Sequence, residues 1–295
     1  MSQTLIAASV TPLREDGTRV DEDAIGPLAA FLRDGGADGV FCCGTTGEGV
    51  LLEPSERRRV AERFREATEG VLIVHCGAQS TAATAALAAH AAEIGADGAA
   101  VIPPPYFPLD DDALAEHMLA AGLACAPLPF YLYAFTARSG YPLPVAVVER
   151  VREELPSLAG LKVSESAFTD VEPYLDLGLP VFVGSEPLIP AALERGAAGS
   201  VSGLASAFPA QVAEVLHAPS PAGGERLATL RDSLGPHFVA ALKVVLALRG
   251  VPVAGDMRAP LQPLPDDRRP ALQTVLESAQ AVAGSARIAE PNASE

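Results

Sequence analysis

Lysine is almost absent from this 295-residue chain. Only Lys162 and Lys243 occur, whereas the other 19 of the 21 basic residues are arginines. Arginine keeps its proton, but a desolvated lysine can lose its proton and attack a carbonyl carbon to form a Schiff base. Lys162 ends an apolar, strand-like approach within 158–163, which makes its amine the candidate for that chemistry. The alternative is a lysine whose ammonium reaches solvent from a strand end. Lys243 lies inside an apolar helical pattern and is predicted to be structural.

The chain also lacks a positive field, a long apolar run and a metal-type cysteine pair. Its net charge of −16 argues against binding to nucleic acid or to an anionic membrane surface. The alanine-rich segment 82–100 contains His90, Glu93 and Asp97, so it is not expected to span a membrane. The start of the chain shows no secretory pattern, and a cytoplasmic location is expected. No C-x-x-C spacing occurs, so buried free thiols and no metal are expected at the four cysteines, Cys42, Cys43, Cys76 and Cys125.

One loop pattern occurs three times, at 35–40, 94–99 and 195–200, and contains Gly-Ala-Asp-Gly in its first two copies. Each copy follows a helical pattern and precedes a strand-like run. Glycine just past a helix end is typical of a helix-to-strand turn. The repetition therefore predicts a repeating strand–helix unit. The strands are expected near 4–10, 39–43, 71–76, 98–102, 129–134, 159–163, 180–183 and 200–202.

Eight short apolar runs separated by helical patterns, such as 54–68 and 81–94, indicate parallel strands that are covered on both faces. We therefore predict an α/β fold, a (β/α)8 TIM barrel over residues 1–208. Residues 209–295 are predicted to form a C-terminal helical extension that packs on the barrel as part of a single structural unit, with a polar tail from 287. The competing architecture is a doubly wound open sheet, but no G-x-G-x-x-G opens its first turn.

Polar residues and glycines follow several predicted strands, at the end of a barrel where active sites lie. The segment Gly44-Thr45-Thr46-Gly47-Glu48-Gly49 could offer hydroxyls and amides to an anion, or it could be a glycine-rich turn with a helix cap. A tyrosine at a strand mouth could shuttle protons, although core packing is the alternative. The candidates at the other strand ends are Tyr131, Tyr133, Gly184, Ser185, Glu186 and Gly203.

Gly44-Thr45-Thr46-Gly47-Glu48, Tyr133 and Gly160-Leu161-Lys162 together resemble the signature of the dihydrodipicolinate synthase / N-acetylneuraminate lyase superfamily. The resemblance covers nearly the whole chain. It implies a barrel, commonly a homotetramer, that binds pyruvate or another 2-keto acid as a Schiff base and uses no cofactor. Lys162 then resembles the Schiff-base lysine and Tyr133 the catalytic proton shuttle. Thr45 and Thr46 would hold the keto-acid carboxylate, and Thr46 would also belong to the proton relay.

The chain departs from the synthase of this superfamily in two places. Tyr133-Ala134-Phe135-Thr136 replaces a Tyr-Asn-x-Pro run. Phe107 matches a second tyrosine that reaches in from a neighbouring subunit, and a phenylalanine cannot relay a proton. Arg138, in contrast, matches the arginine that receives the carboxylate of the aldehyde, unless it is an ordinary surface arginine. Glu186 matches an acidic residue that faces substrate hydroxyls in sugar-acid aldolases of the group.

The resemblance therefore implies a pyruvate-dependent class I aldolase or lyase that cleaves or forms a carbon–carbon bond with an aldehyde. A hydroxylated 2-keto acid, such as a keto-deoxy sugar acid, is the favoured substrate. The alternatives are 4-hydroxy-tetrahydrodipicolinate (dihydrodipicolinate) synthase and a keto-deoxy sugar acid dehydratase of the same family. A catalytically silent barrel that binds a keto acid would need neither the lysine nor the tyrosine. The expected substrate-binding residues are Thr45, Thr46, Arg138, Gly184, Glu186 and Gly203.

Two other classes of enzyme fit the sequence less well. A glycosidase needs two carboxylates across the barrel mouth, and only Glu48 and Glu186 are candidates. Glu48 is better placed to support the loop of residues 44–49, which we call the threonine loop. A metal-dependent aldolase needs histidine and carboxylate ligands at strand ends. Of the five histidines only His75 falls near such an end.

Overall fold

The computed structural model describes residues 3–288, and side chains as far as residue 281. Eight parallel strands form a closed barrel in which consecutive strands pair and the eighth returns to the first. This closure excludes the open doubly wound sheet and confirms the predicted (β/α)8 barrel. The strands are β1 (Thr4–Ala8), β2 (Gly39–Cys42), β3 (Val71–His75), β4 (Gly98–Val101), β5 (Phe130–Ala134), β6 (Leu158–Val163), β7 (Val181–Val183) and β8 (Gly199–Ser202).

The barrel strands are buried on both faces, as their continuous apolar runs predict. Alternate residues such as Leu5, Val40 and Leu72 belong to the large core that the strands form with the helices. The residues between them point to the opposite face because side chains alternate along a strand. They form a separate cluster inside the barrel, which consists of Ile6, Ala8, Phe41, Ile73, Ala100, Ile102, Tyr133 and Val201.

Helices surround the barrel, and some of them begin at a side-chain capping interaction. Glu53 and Glu56 form a capping box before the helix that begins at Pro54. The hydroxyl of Ser80 accepts a hydrogen bond from a backbone N–H in the first turn of the helix that begins at Thr81. The helices up to the end of the barrel are α1 (Ile25–Asp34), α2 (Pro54–Ala67), α3 (Thr81–Glu93), α4 (Asp111–Cys125), α5 (Thr136–Ser139), α6 (Val145–Glu154), α7 (Phe168–Leu175) and α8 (Ile189–Glu194).

The repeated loop makes the predicted helix-to-strand turn. Gly36, Gly95 and Gly196 have φ of 91°, 68° and 88°, the left-handed region that glycine adopts without strain. The aspartate of the first two copies has a second role. Asp38 accepts a hydrogen bond from Leu5 N, and Asp97 accepts one from the backbone N–H of Leu72, both at 2.8 Å. Each aspartate thus fixes its loop to the neighbouring strand.

The predicted extension is helical in its described part. It contains α9 (Pro209–His217), α10 (Pro221–Ser233), α11 (Phe238–Leu248) and α12 (Arg269–Ile288). Helix α9 packs against β1 and β8, α10 packs against the segment that follows β7, and α11 packs against α12. The boundary at residue 208 stays a prediction. Residues 289–295, which include most of the predicted polar tail, lie outside the described residues.

Two local features differ from the sequence-based expectations. The segment after β1 forms a hairpin of two-residue strands, Leu13–Arg14 and Arg19–Val20, which are too short to give a periodic pattern. The helical pattern over residues 21–33 predicts a cap at Asp21 or Asp23. The structure instead begins there with a 3-10 turn, Glu22–Ala24, to which Asp21 makes no side-chain capping bond.

The cysteines are buried and free, as predicted. Burial raises the pKa of Cys76 and raises that of Cys125 to about 11, so these two thiols stay protonated and unreactive near neutral pH. Within residues 3–288 no helix combines the length and the apolar character that a membrane crossing requires.

Candidate active site

Lys162 lies on β6 and is 6% exposed. Its backbone is in register with Tyr133 on β5 and with Phe182 on β7. Residues in register on neighbouring parallel strands point to the same face of the sheet. Tyr133 belongs to the interior cluster and Phe182 packs against it. Lys162 therefore points into the barrel, near the carboxyl ends of its strands.

The Lys162 amine is held by a hydroxyl and by aromatic rings. Its Nζ donates a hydrogen bond to Ser164 Oγ at 2.6 Å. It also lies 3.7 Å from the centroid of the Tyr133 ring and 5.6 Å from that of Phe41, so it faces the negative side of both rings. In the described part of the chain no carboxylate bonds to Lys162. The amine is therefore not committed to an ion pair and remains available for reaction.

Gly184 lies beside this amine, directly after β7. A Cβ at this position would clash with Ser164 Oγ and would lie 3.1 Å from Lys162 Nζ. The absence of a side chain at Gly184 thus leaves the space that the lysine and its hydroxyl partner occupy. A direct contact of Gly184 with substrate stays a prediction.

Three rings line the interior next to Lys162. The centroids of Phe41, His75 and Tyr133 lie 5.9 to 6.1 Å apart in each pair. Burial, followed by the positive charge of Arg57, lowers the pKa of His75 to about 3, so this imidazole is neutral near pH 7. Its Nδ1 donates a hydrogen bond to a backbone carbonyl at 3.1 Å. His75 therefore fixes the position of the Tyr133 ring and is not itself an acid.

The Tyr133 ring is 2% exposed, and its hydroxyl has no protein hydrogen-bond partner among residues 3–281. A hydroxyl without a protein partner can donate to a bound molecule or accept from it. This matches what the predicted proton shuttle requires. Tyr131, the other candidate on this strand face, packs instead against the ring of Phe182 with centroids 6.1 Å apart.

The threonine loop follows β2 and forms a tight turn. Glu48 N donates to Thr45 O and Gly49 N donates to Gly44 O, both at 3.1 Å. Thr45 is exposed, whereas Thr46 is 9% exposed. Thr45 thus lies at the surface, whereas Thr46 is buried. The prediction that the hydroxyls and backbone amides of Thr45 and Thr46 bind a carboxylate concerns this turn.

Gly203 connects the threonine loop with the C-terminal helices. A Cβ on Gly203 would lie 3.1 Å from Thr46 Oγ1 and 3.2 Å from the ring of Phe238. Phe238 is the first residue of α11. The structure therefore groups Thr46 with Gly203, and it groups Lys162 with Tyr133 and Gly184.

Arg138 lies on the short helix α5, directly after β5, and is exposed. Its Cζ lies 5.7 Å from the ring centroid of Phe135, which in turn lies 6.1 Å from the centroid of Tyr133. Glu165 fixes the start of this helix, because its Oε1 accepts hydrogen bonds from Thr136 N and Oγ1 at 2.8 and 3.0 Å. The guanidinium thus lies over the ring of Phe135, which connects it to the ring of Tyr133 in the interior. It has no carboxylate partner in the part of the chain that the structure describes.

Glu186 differs from the expectation that it faces substrate hydroxyls. Its side chain is 0% exposed. Oε1 accepts hydrogen bonds from Ser202 Oγ at 2.8 Å and from Leu204 N at 2.9 Å, and Oε2 accepts one from Arg231 at 2.9 Å. The physical reason is that a buried carboxylate must be satisfied by donors, and three protein donors are within reach. Glu186 therefore joins the ends of β7 and β8 to helix α10 in this structure.

Glu48 is buried as well and supports the threonine loop, as predicted. Its Oε1 accepts a hydrogen bond from Lys243 Nζ at 2.5 Å, and its Oε2 accepts one from Arg258 N at 2.7 Å. The two carboxylates that a glycosidase on this barrel would use, Glu48 and Glu186, are thus both engaged below the surface. No group of three or more histidine, cysteine, aspartate or glutamate residues within the described side chains could hold a metal ion.

Sequence reasoning missed two residues that shape the site. Ser164 and Glu165 follow Lys162 within three positions, and they hold the amine and the start of α5 respectively. The only signal was their polar character directly after the lysine strand, because active-site residues on barrels follow strand ends.

Comparison with known proteins agrees with the fold and with the motifs. The model of the dihydrodipicolinate synthetase family matches residues 1–279. An uncharacterised DapA-like lyase from Halobacterium salinarum is 35% identical over 272 residues, which are 87% of this chain and 88% of that protein. The 4-hydroxy-tetrahydrodipicolinate synthase of Prochlorococcus marinus is 33% identical over 285 residues, 92% of this chain and 93% of that enzyme. The structure of Proteus mirabilis N-acetylneuraminate lyase superposes with a TM-score of 0.86 at 29% identity and covers 94% of this chain and 98% of that one. The chain is therefore a lyase that belongs to the dihydrodipicolinate synthetase family.

Proposed function

We propose that this lyase forms a Schiff base between Lys162 and a 2-keto acid, for which pyruvate is the simplest example, and makes or breaks the carbon–carbon bond next to it. The observation that carries this proposal is the environment of Lys162 Nζ. The amine is inside the barrel mouth, bound to Ser164 Oγ at 2.6 Å and free of any ion pair among the described residues. A nucleophilic amine needs such a site.

The chemistry follows from an amine and a phenol that lie together. The amine of Lys162 adds to the keto carbon, and loss of water leaves a protonated imine. The imine accepts the electron pair that is released when the bond between C3 and C4 breaks, or that a C3 proton leaves behind. Tyr133 carries protons to and from the reacting atoms. In this scheme no cofactor is needed, because the imine is itself the electron sink.

We also propose that the keto-acid carboxylate binds at the threonine loop, through Thr45 and through Thr46, with Thr46 taking part in the proton relay. The support is that Thr46 Oγ1 is near a glycine, Gly203, which leaves room beside it. Backbone N–H groups in a tight turn are suitable donors to a carboxylate. The roles of Gly184 and Gly203 are then to leave space for the amine and for the carboxylate.

The second substrate is proposed to be an aldehyde, and the complete 2-keto acid is proposed to be hydroxylated, as in keto-deoxy sugar acids. The similarity to Proteus mirabilis N-acetylneuraminate lyase supports this choice. Glu186 gives it no support, because its carboxylate is engaged by protein donors.

Arg138 favours a second candidate, 4-hydroxy-tetrahydrodipicolinate synthase. Its exposed guanidinium at the mouth has no carboxylate partner in the described part of the chain, and it could bind an aldehyde that carries its own carboxylate. The Prochlorococcus marinus synthase is similar over almost the whole chain. The replaced Tyr-Asn-x-Pro run and Phe107 weigh against this candidate.

Reductive trapping tests the Schiff base. The protein is incubated with pyruvate and sodium borohydride, and its peptides are mapped by mass spectrometry. We expect a pyruvate-sized adduct on Lys162 and none on Lys243, which serves as an internal control because its ammonium is engaged in a buried ion pair. Folded Lys162→Arg protein should give no adduct and no turnover. An active Lys162→Arg enzyme would contradict the proposal.

A substrate comparison separates the two candidates. Release of pyruvate from a keto-deoxy sugar acid supports the aldolase, and consumption of pyruvate with aspartate semialdehyde supports the synthase. Arg138→Ala, with exposed Arg152→Ala as a matched control, should weaken only the second reaction. An equal loss in both reactions would show that Arg138 does not select the aldehyde.

We further propose that the lyase is a homotetramer. Tyr106 and Phe107 are 83% and 70% exposed, and their rings meet at 4.8 Å between centroids on the loop after β4. Exposed aromatic pairs of this kind are typical of protein interfaces. Light scattering should give four times the mass of the chain, and a Tyr106→Ser/Phe107→Ser variant should give a smaller species. A monomeric wild-type protein would contradict the tetramer.

A further inference from the structure

The second lysine, Lys243, lies on α11 and is 0% exposed. Its Nζ donates to Glu48 Oε1 at 2.5 Å and to the backbone carbonyl of Asp256 at 2.7 Å. A compact ammonium can satisfy two acceptors in a small buried space, unlike the planar fork of a guanidinium. In an arginine-rich chain this requirement accounts for a lysine at this position.

The carboxylate of Glu48 connects three segments that are distant in sequence. Lys243 binds one of its oxygens from α11, and Arg258 N binds the other from the segment after α11, at 2.7 Å. The backbone N–H of Glu48 donates to Thr45 O within the threonine loop. The side chain of Glu48 thus fixes the turn that carries Thr45 and Thr46 to the C-terminal helices.

The threonine loop needs such a support because its backbone is strained. Cys43 and Glu48 have φ of 57° and 55°, the left-handed region that residues other than glycine rarely adopt. Residues in that region persist only when the surrounding structure holds them. Inside the loop there are only two backbone hydrogen bonds, Glu48 N to Thr45 O and Gly49 N to Gly44 O.

We propose that Lys243 is a positioning residue of the active site, which acts through Glu48 to hold the threonine loop in the geometry that binds the substrate carboxylate. The last step of this inference rests on the proposed function of the loop. Lys243 does not touch the substrate, and its effect passes through one carboxylate.

The charges of the pair agree with this role. Burial lowers the pKa of Lys243, and the negative charge of Glu48 opposes the shift. The ammonium and the carboxylate therefore each depend on the other inside the protein, and removal of one leaves a buried charge unpaired. A strong pair of this kind fixes distance and direction between α11 and the loop.

Hydrogen–deuterium exchange of the full-length Lys243→Met protein tests the positioning role. We expect the amides of Glu48 and Gly49 to exchange about tenfold faster or more, as the loss of a charge-assisted hydrogen bond predicts, with the β5 and β6 amides unchanged. Arg231→Met is the matched control, because Arg231 also reaches a buried barrel carboxylate from the C-terminal helices. It should leave the threonine loop as in the wild type. The proposal is overturned if amide exchange in the threonine loop of Lys243→Met is unchanged, or if it increases equally in the loop and in strands β5 and β6.

Pyruvate trapping gives the functional readout. In Lys243→Met the pyruvate concentration for half-maximal trapping on Lys162 should rise about tenfold or more, whereas the maximal trapping rate should change little. A fall in the maximal rate with unchanged half-saturation overturns the role. If wild-type protein is not trapped at all, the proposed function fails, and the exchange comparison still decides whether Lys243 holds the loop.

A double variant with two uncharged side chains keeps the test valid if Lys243→Met does not fold. Glu48→Gln/Lys243→Met removes both charges of the buried pair, and the amide oxygen can still accept from Arg258 N. Relative to wild type, the double variant should again show faster exchange in the threonine loop. Loop exchange identical to that of wild type contradicts the proposal.

Discussion

The two lysines of the chain differ in what surrounds them. Lys243 is bound to the carboxylate of Glu48 and is fully buried, so its ammonium is a structural charge. Lys162 is bound to a hydroxyl and faces two rings, and it lies at the strand ends where barrel enzymes carry out their chemistry. The bonding partner, and not burial alone, distinguishes a fixed ammonium from an amine that can react.

Tyr133→Phe tests the proton shuttle. The ring should stay in place beside Lys162, Phe41 and His75, because only the hydroxyl is removed. We expect turnover to slow by about 10²–10⁴, the usual contribution of one acid–base group. Pyruvate trapping on Lys162 should remain detectable, which shows that the lysine is intact. A turnover within a few-fold of wild type would place the proton transfer on another group.

Gly184→Ala tests whether space beside the amine is required. The new Cβ would clash with Ser164 Oγ and crowd Lys162 Nζ at 3.1 Å. We expect the trapping rate to fall by about a hundredfold, because a displacement near 1 Å can have an effect of that size. Gly26→Ala is the control, since a Cβ there meets nothing within 4 Å. Equal rates in the two variants would mean that the amine tolerates displacement.

At the scale of elements, the C-terminal helices contact the loops that carry the site. Helix α11 contributes Lys243 and the ring of Phe238, and α10 contributes Arg231, which reaches Glu186. The Arg231 guanidinium also lies 4.4 Å from the centroid of Phe238. The helices after the barrel thus determine the positions of two loops at its mouth.

Glu186→Ala tests the structural role of this carboxylate. Its loss leaves the donors of Ser202, Leu204 and Arg231 without their acceptor, and it should lower the free energy of unfolding by about 1–3 kcal/mol. Exposed Glu194→Ala should stay within about 0.5 kcal/mol of wild type. Urea unfolding measures both.

The kinetics of Glu186→Ala test its contact with substrate. The loss of kcat/KM should be equal for hydroxylated and simple substrates. A loss confined to the hydroxylated substrate would restore the expectation that Glu186 binds substrate hydroxyls.

How much of this structure the sequence predicts depends on how far apart in the chain the interacting residues lie. Apolar runs and repeated turn glycines are local, and they predict the eight strands and the barrel. Lys162 was found because lysine is rare in this chain and this one ends an apolar strand, and the threonine loop was found because its glycines and threonines follow a strand. The cation that pairs with Glu186 is 45 residues away and the one that pairs with Glu48 is 195 residues away, so these ion pairs could not be read from spacing. The two-residue strands of the hairpin were too short to show a period.

At the scale of the whole molecule, the surface and the interior contribute differently to stability. The arginines of the described surface form ion pairs such as Arg33–Glu69 and Arg150–Asp112, and exposed pairs contribute at most about 1 kcal/mol each. The strongly coupled charges lie inside, around the barrel mouth. Conditions that change the charge of the interior should therefore affect folding more than salt does.

Acid is such a condition, and His75 gives the sign of its effect. The imidazole has a pKa of about 3 in the folded protein and 6.5 as a free side chain. Between these values the unfolded chain binds the proton and the folded protein does not. The free energy of unfolding therefore falls as the pH drops below about 6.5, by up to about 1.4 kcal/mol per pH unit, and His75 has no such effect at higher pH.

His75→Gln should remove this contribution, because glutamine does not titrate and its amide can keep the hydrogen bond to Cys43 O. Urea unfolding from pH 7 to pH 4 measures the free energy of unfolding of both proteins. In the difference between the two, the contributions of the carboxylates and of the buried His117 cancel, because both proteins contain them. We expect the variant to lose stability less steeply with falling pH than wild type. Parallel pH profiles would mean that His75 becomes protonated without unfolding, despite Arg57 and Lys162 nearby. The pKa of His75 in the folded protein would then equal its unfolded value, and burial beside Arg57 would not keep the imidazole neutral.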